Sequence, residues 1–109
     1  MRKLIALAIL VATATSAFAG DGRPRAWCGW YMRQQLGVAD RAYNLARNWA
    51  HWGRAALPGP GVVVVWRHHV GRIVGPCQGH ICPVLSGNDG HHQVMTRERD
   101  ISRAIAFRQ

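Results

Sequence analysis

Two hydrophobic periods divide this chain. After an almost unbroken apolar run over residues 4–14, apolar side chains recur at Cys28, Tyr31, Met32 and Leu36, the spacing of one helix face, and Gly37 follows as a stop. Asp40 stands where a side-chain cap belongs, ahead of a second helical stripe of Ala42, Leu45, Ala46, Trp49 and Trp52. Gly53 and Leu57-Pro58-Gly59-Pro60-Gly61 break that pattern. From there the period changes. Val62-Val63-Val64-Val65-Trp66 is a β-branched run between turn signals, the mark of a buried strand. Residues 69–74 read as a second strand and 81–85 as a third, ended by a Ser86-Gly87-Asn88-Asp89-Gly90 turn. Val94-Met95 is a short fourth strand and residues 104–107 a last one. Helices first and strands afterwards predict an α+β domain, with N-terminal helices packed on a small antiparallel sheet.

The leading apolar run belongs to export rather than to the fold. Arg2 and Lys3 precede it, and Ser16-Ala17-Phe18-Ala19 supplies the small residues of a cleavage site, so residues 1–19 read as a secretory signal peptide. The run is too short to cross ~30 Å of hydrocarbon comfortably, and no membrane span is expected to persist after cleavage. Residues 20–26 read as a flexible leader and 27–109 as one domain. With 49% hydrophobic and 17% charged residues among 109, the chain is neither a disordered tail nor an enzyme with separate cofactor and substrate domains. Cleavage leaves twelve basic residues, all arginine, against five acidic ones. The destination is the periplasm or the exterior, where disulfides persist.

In such a compartment, three cysteines leave one thiol over. Cys77 and Cys82 bracket a short Gln-Gly-His-Ile loop and are natural disulfide partners, a closure worth roughly 2 kcal/mol. Cys28 then stands alone. Its competing job is that of a buried structural thiol. Its place at a helix start, where backbone N–H groups and the dipole favour a thiolate, argues for a nucleophile instead. Histidines at 51, 68, 69, 80, 91 and 92 raise the question of a metal. Neighbours on a strand face opposite ways, so neither His68-His69 nor His91-His92 chelates as a pair. Only Cys77, His80 and Cys82 are compact, and there the disulfide competes. No metal or other cofactor is expected.

Trp27-Cys28-Gly29-Trp30 begins a series of motifs. An Ala-rich segment ending in Trp follows at Leu45-Ala46-Arg47-Asn48-Trp49, then a Pro-Gly turn into a Val-rich strand at Pro60-Gly61-Val62-Val63-Val64-Val65-Trp66. His69-Val70-Gly71, the Ser86-Gly87-Asn88 turn and a closing Ala106-Phe107-Arg108 complete it. In this order, over nearly all of residues 27–108, the chain resembles the NlpC-like branch of papain-fold cysteine peptidases, in particular the small bacterial CHAP-like proteins (cysteine- and histidine-dependent amidohydrolase/peptidase). The resemblance implies a papain-like fold in which Cys28 is the nucleophile, His69 the general base and Asn88 the residue orienting the imidazole, with Asp89 as the alternative third member. It implies hydrolysis of amide bonds in peptidoglycan, within the stem peptides or where peptide joins sugar. Val62 after the Pro-Gly turn, Arg72 after His-Val-Gly and the Cys77–Cys82 segment depart from the family pattern.

The residue chemistry permits such an activity. An imidazolium and a helix N-terminus can lower a thiol pKa from ~8.5 by ~1 to 5 units. Gly71, on the strand face of His69, leaves room for a close approach by helix or substrate. The competing job of His69 is that of a surface or core histidine. Trp27, Trp30 and Tyr31 are candidates to wall the substrate site, with core packing as their alternative. The arginines are spread along the chain, with local pairs at Arg23/Arg25 and Arg97/Arg99. They suit anionic cell-wall polymers or acidic stem-peptide groups, and no nucleic-acid motif is present. The expected partner is therefore peptidoglycan or its stem peptides. A non-catalytic, basic envelope-binding module of the same fold is the alternative, and oligomeric state is left open.

Overall fold

Helix α1 (Cys28–Leu36) starts at the first residue of the predicted stripe and stops where Gly37 enters the left-handed region at φ 67° and donates to the Arg33 carbonyl. A glycine takes that conformation without a Cβ penalty. These elements come from a computed structural model, which describes residues 22–109; the expected signal peptide and the first two leader residues lie outside the described residues. Of the leader within them, Arg23 stacks over the Trp27 ring at 4.7 Å.

The predicted second helix is replaced by two 3₁₀ segments, Arg41–Asn44 and Ala46–His51, separated by Leu45 in an extended conformation. Asp40 caps the first of them, accepting from the Ala42 N–H at 2.9 Å. Side-chain donors claim the carbonyls that a continuous α-helix would use. The Trp49 indole donates to the Tyr43 carbonyl at 2.7 Å, and the Asn48 amide to that of Ala42 at 2.8 Å. Arg33 then ties this segment to α1, reaching the Val38 and Ala39 carbonyls and the Asn44 side chain.

Five antiparallel strands follow, β1 (Val63–Trp66), β2 (His69–Ile73), β3 (Ile81–Asp89), β4 (Gln93–Asp100) and β5 (Ala106–Arg108), in spatial order β4-β3-β2-β1-β5. The α+β class and the antiparallel sheet are as the patterning predicts. Both faces of the sheet are covered, which explains why the valine run does not alternate. Val63, Val65 and Val70 pack with Cys28, Met32, Ala46 and Trp49 on the helix side. Val62, Val64, Ile73, Cys82, Val84 and Ile101 form a second cluster.

Two strands are longer than predicted. Ser86 to Asp89 belongs to β3 rather than to a turn, with a bulge between them, and the chain reverses at Gly90, His91 and His92, all with positive φ. β4 runs on through Thr96-Arg97-Glu98-Arg99-Asp100, a charged edge strand that deters pairing with other chains. Cys77 and Cys82 are joined as a disulfide. No helix among the described residues is long and apolar enough to cross a membrane.

Candidate active site

Cys28, the free cysteine among the described residues, is the first residue of α1 and is 4% exposed. The first intrahelical bond runs from Tyr31 N–H to the Trp27 carbonyl, so the N–H groups of Cys28 and Gly29 have no helical partner. Both act on the sulfur, together with the N–H of Val70 on β2. The sulfur is thus seated against β2 one residue from His69. Gly29 makes this possible on the other flank, because a Cβ there would lie 2.4 Å from the Asn44 carbonyl oxygen and 2.5 Å from that of Tyr43. The 3₁₀ segment is pressed against the start of α1.

Cys28 does not have the depressed pKa expected of it. Burial pushes the thiol above its ordinary range, and the N–H groups of Val70, Gly29 and Cys28 and the charge of Arg99 offset only part of that. His69 moves the other way, down to about 4, through burial first and then the charges of Arg99 and Arg97, against an opposing pull from Asp89. Its buried Nε2 has no hydrogen-bond partner, and Cys28 is not among the groups that shift it. At neutral pH the site therefore holds a thiol and a neutral imidazole.

Register explains what surrounds His69. It lies opposite Trp66 across the β1–β2 hairpin, with ring centroids 5.8 Å apart. Arg99 lies over the same Trp66 ring at 5.4 Å and donates to Asp89 at 2.8 Å. Arg97 reaches the same carboxylate oxygen at 3.0 Å, and the Ser86 hydroxyl donates to the other at 3.1 Å. Asp89 is 2% exposed, yet these partners outweigh the cost of burial and hold its carboxyl below the usual range. Arg99 is the one charge that acts on both Cys28 and His69.

Asn88 is placed differently from the role assigned to it. Its Oδ1 sits 3.1 Å from His92 Nδ1, and its backbone adopts φ 53°, a conformation asparagine tolerates and the bulge requires. Of the two candidate third members, the one acting on His69 is Asp89. Gly71 makes room for β3 rather than for helix or substrate, since a Cβ there would meet Val84 at 2.4 Å. The aromatic wall also differs. Trp27 is buried, and with Tyr31 it packs where a Cβ on Gly87 would come within 2.8 Å of both. Trp30 lines a separate cleft of about 270 Å³ with Arg33, Gln34 and Arg41, which holds no nucleophile.

Cys28 instead opens on a cleft of about 160 Å³ walled by Ala26, Leu45, Ala46, Arg47, Arg67 and His68. Sequence reasoning singled out none of these as site residues, nor Trp66 and Arg99. Arg97 and Arg99 did carry a usable signal, the two-residue spacing that puts both on one strand face. Apart from Ala26, ahead of α1, the cleft residues lie along the 3₁₀ stretch and the β1–β2 turn, whose meeting no local pattern announces. No three of the His, Cys, Asp and Glu side chains among the described residues group closely enough to hold a metal ion. No family model, curated protein or solved structure matches the chain.

Proposed function

We propose that this protein is an exported cysteine amidase or endopeptidase of papain-like fold that hydrolyses amide bonds of peptidoglycan through an acyl-enzyme. The observation that carries the reading is the seating of Cys28: a free thiol at the first residue of a helix, held against the Val70 N–H of β2, the residue that follows His69, and lining a cleft. His69 takes the Cys28 proton as the sulfur attacks the carbonyl carbon, and the resulting imidazolium returns a proton to the departing amine. Water then cleaves the thioester, regenerating the thiol and releasing the acid. The N–H groups of Cys28 and Gly29, which have no helical partner and face the sulfur, are the donors available to the developing oxyanion. Asp89, gripped by Arg97, Arg99 and Ser86, stabilises the imidazolium as it forms, and Arg99 favours the thiolate.

Because thiol and imidazole are both neutral at rest, the proton moves only when a carbonyl is in place to receive the sulfur. The same neutral pair favours a second reading, a peptidoglycan-binding module that keeps this arrangement without turnover. Incubation of the oxidised protein with purified sacculi separates the two. Release of soluble fragments by wild type and none by Cys28→Ala supports the enzyme. Equal retention of sacculi by both proteins, with no fragments from either, overturns it in favour of the binder.

A further inference from the structure

The cleft over Cys28 has a chemical polarity that the proposed reaction does not by itself require. Ala26, Leu45 and Ala46 contribute apolar lining, and Asn44, His68, Arg47 and Arg67 the polar part, Arg47 from the second 3₁₀ segment and Arg67 from the β1–β2 turn. None of the acidic side chains among the described residues lines it. Within the described residues Asp89 is bound to Arg97 and Arg99, while Asp40 and Asp100 accept from the Ala42 and Ser102 N–H groups. Neither Arg47 nor Arg67 enters an ion pair among the described residues.

We propose that this cleft is a carboxylate-reading subsite, so that the amide cleaved by Cys28 bears a free carboxylate on the residue that enters it. The inference rests on the hydrolase reading and names its substrate class. Guanidinium groups present planar pairs of donors that match a carboxylate, and here two of them line the same cleft as the nucleophile, with no acidic side chain among the described residues in its lining. A cleft of about 160 Å³ has room for a short acidic side chain. Leu45, 48% exposed in this wall, packs against the methylenes of such a side chain while its carboxylate meets the arginines.

The test uses the Cys28 thiol as the reporter of charge, independently of turnover. Rates of alkylation by iodoacetate and iodoacetamide are measured on the oxidised protein, mapped to Cys28, and divided by those for N-acetylcysteine amide. The elevated thiol pKa slows both reagents alike and cancels in the ratio. The subsite predicts a normalised preference for the anionic reagent of about tenfold at low salt, falling towards one in 0.5 M sodium chloride. The Arg47→Gln/Arg67→Gln protein should lose that preference and the Arg54→Gln/Arg103→Gln protein keep it. A ratio near one in wild type, or an equal loss in both double variants, overturns the inference, the second outcome assigning the effect to overall charge. Fragment release from sacculi without anion preference overturns this inference alone. Anion preference without fragment release supports the subsite and overturns the hydrolase reading.

Discussion

Replacing Arg99 with glutamine tests whether one guanidinium tunes both halves of the candidate pair. Arg99 is held by Asp89 at 2.8 Å and lies 5.4 Å over Trp66, whose ring centre is in turn 5.8 Å from that of His69. A unit charge about 10 Å away across an effective dielectric of ~20 to 40 is worth about 1 kcal/mol, a little under one pKa unit. His69, at about 4 in the native protein, should therefore titrate roughly 0.7 unit higher in Arg99→Gln. The rest of its displacement is due to burial and persists. Cys28, whose thiolate Arg99 favours, should move further up.

The paired directions give the experiment its force. A variant that merely loosened the site would hydrate both groups, raising His69 but lowering Cys28, because burial is the leading cause of each displacement. Loss of the charge raises both. The His69 midpoint is read from its ring-proton NMR titration, and that of Cys28 from the pH dependence of alkylation by neutral iodoacetamide. A Cys28 midpoint that falls would refute the electrostatic argument, as would a His69 midpoint that stays where it was.

Three further outcomes follow from the geometry. In Gly29→Ala, helix propensity alone promises about 1 kcal/mol of stabilisation, but the new Cβ meets the Asn44 and Tyr43 carbonyls at 2.4 and 2.5 Å, an overpacking cost of about 3 kcal/mol. The net should lower the circular-dichroism melting temperature by about 10 °C, and an unchanged value would mean the 3₁₀ segment is not pinned there. His69 binds its proton less readily folded than unfolded, so its contribution is complete above pH 6.5 and is lost as pH falls towards 4. Urea midpoints should decline through that window, by up to about 3 kcal/mol in stability, and His69→Phe should flatten the decline. The depressed carboxyl of Asp89 adds acid sensitivity at lower pH, below the ordinary carboxylate range. Removing the disulfide in Cys77→Ser/Cys82→Ser should cost roughly 2 kcal/mol by the chain-entropy relation, read as a lower urea midpoint at unchanged slope.

What could be read from the chain in advance divides along a physical line. Helix α1, its glycine stop, the valine strand and the Cys77–Cys82 pair rest on local information, such as periodicity, a cap or a short loop. The second helix failed although its stripe was sound. Trp49 and Trp52 do belong to the helix-side core, but carbonyl groups claimed by the Trp49 indole and the Asn48 amide leave 3₁₀ geometry in place of an α-helix. Ser86-Gly87-Asn88-Asp89 had the composition of a turn and became bulged strand because Gly87 admits Tyr31 and Trp27, while Asp89 is buried against arginines from β4.

The site divides the same way. Cys28 could be singled out from its place at a helix start and His69 only through the family resemblance, but their electrical state could not be read, since it depends on burial and on Arg99 arriving from a strand whose charged half carried no apolar signal. A helix start promised a thiolate; packing against Val70 at 4% exposure leaves a thiol. The dipole and N–H groups of one helical turn are therefore too weak here to offset the desolvation that comes with seating the sulfur against the sheet. The surplus must come from whatever enters the cleft. On the proposed hydrolase reading, that places the burden of activation on the substrate's carbonyl, and makes the arginines lining the cleft the means of holding the substrate, by its carboxylate, over the sulfur.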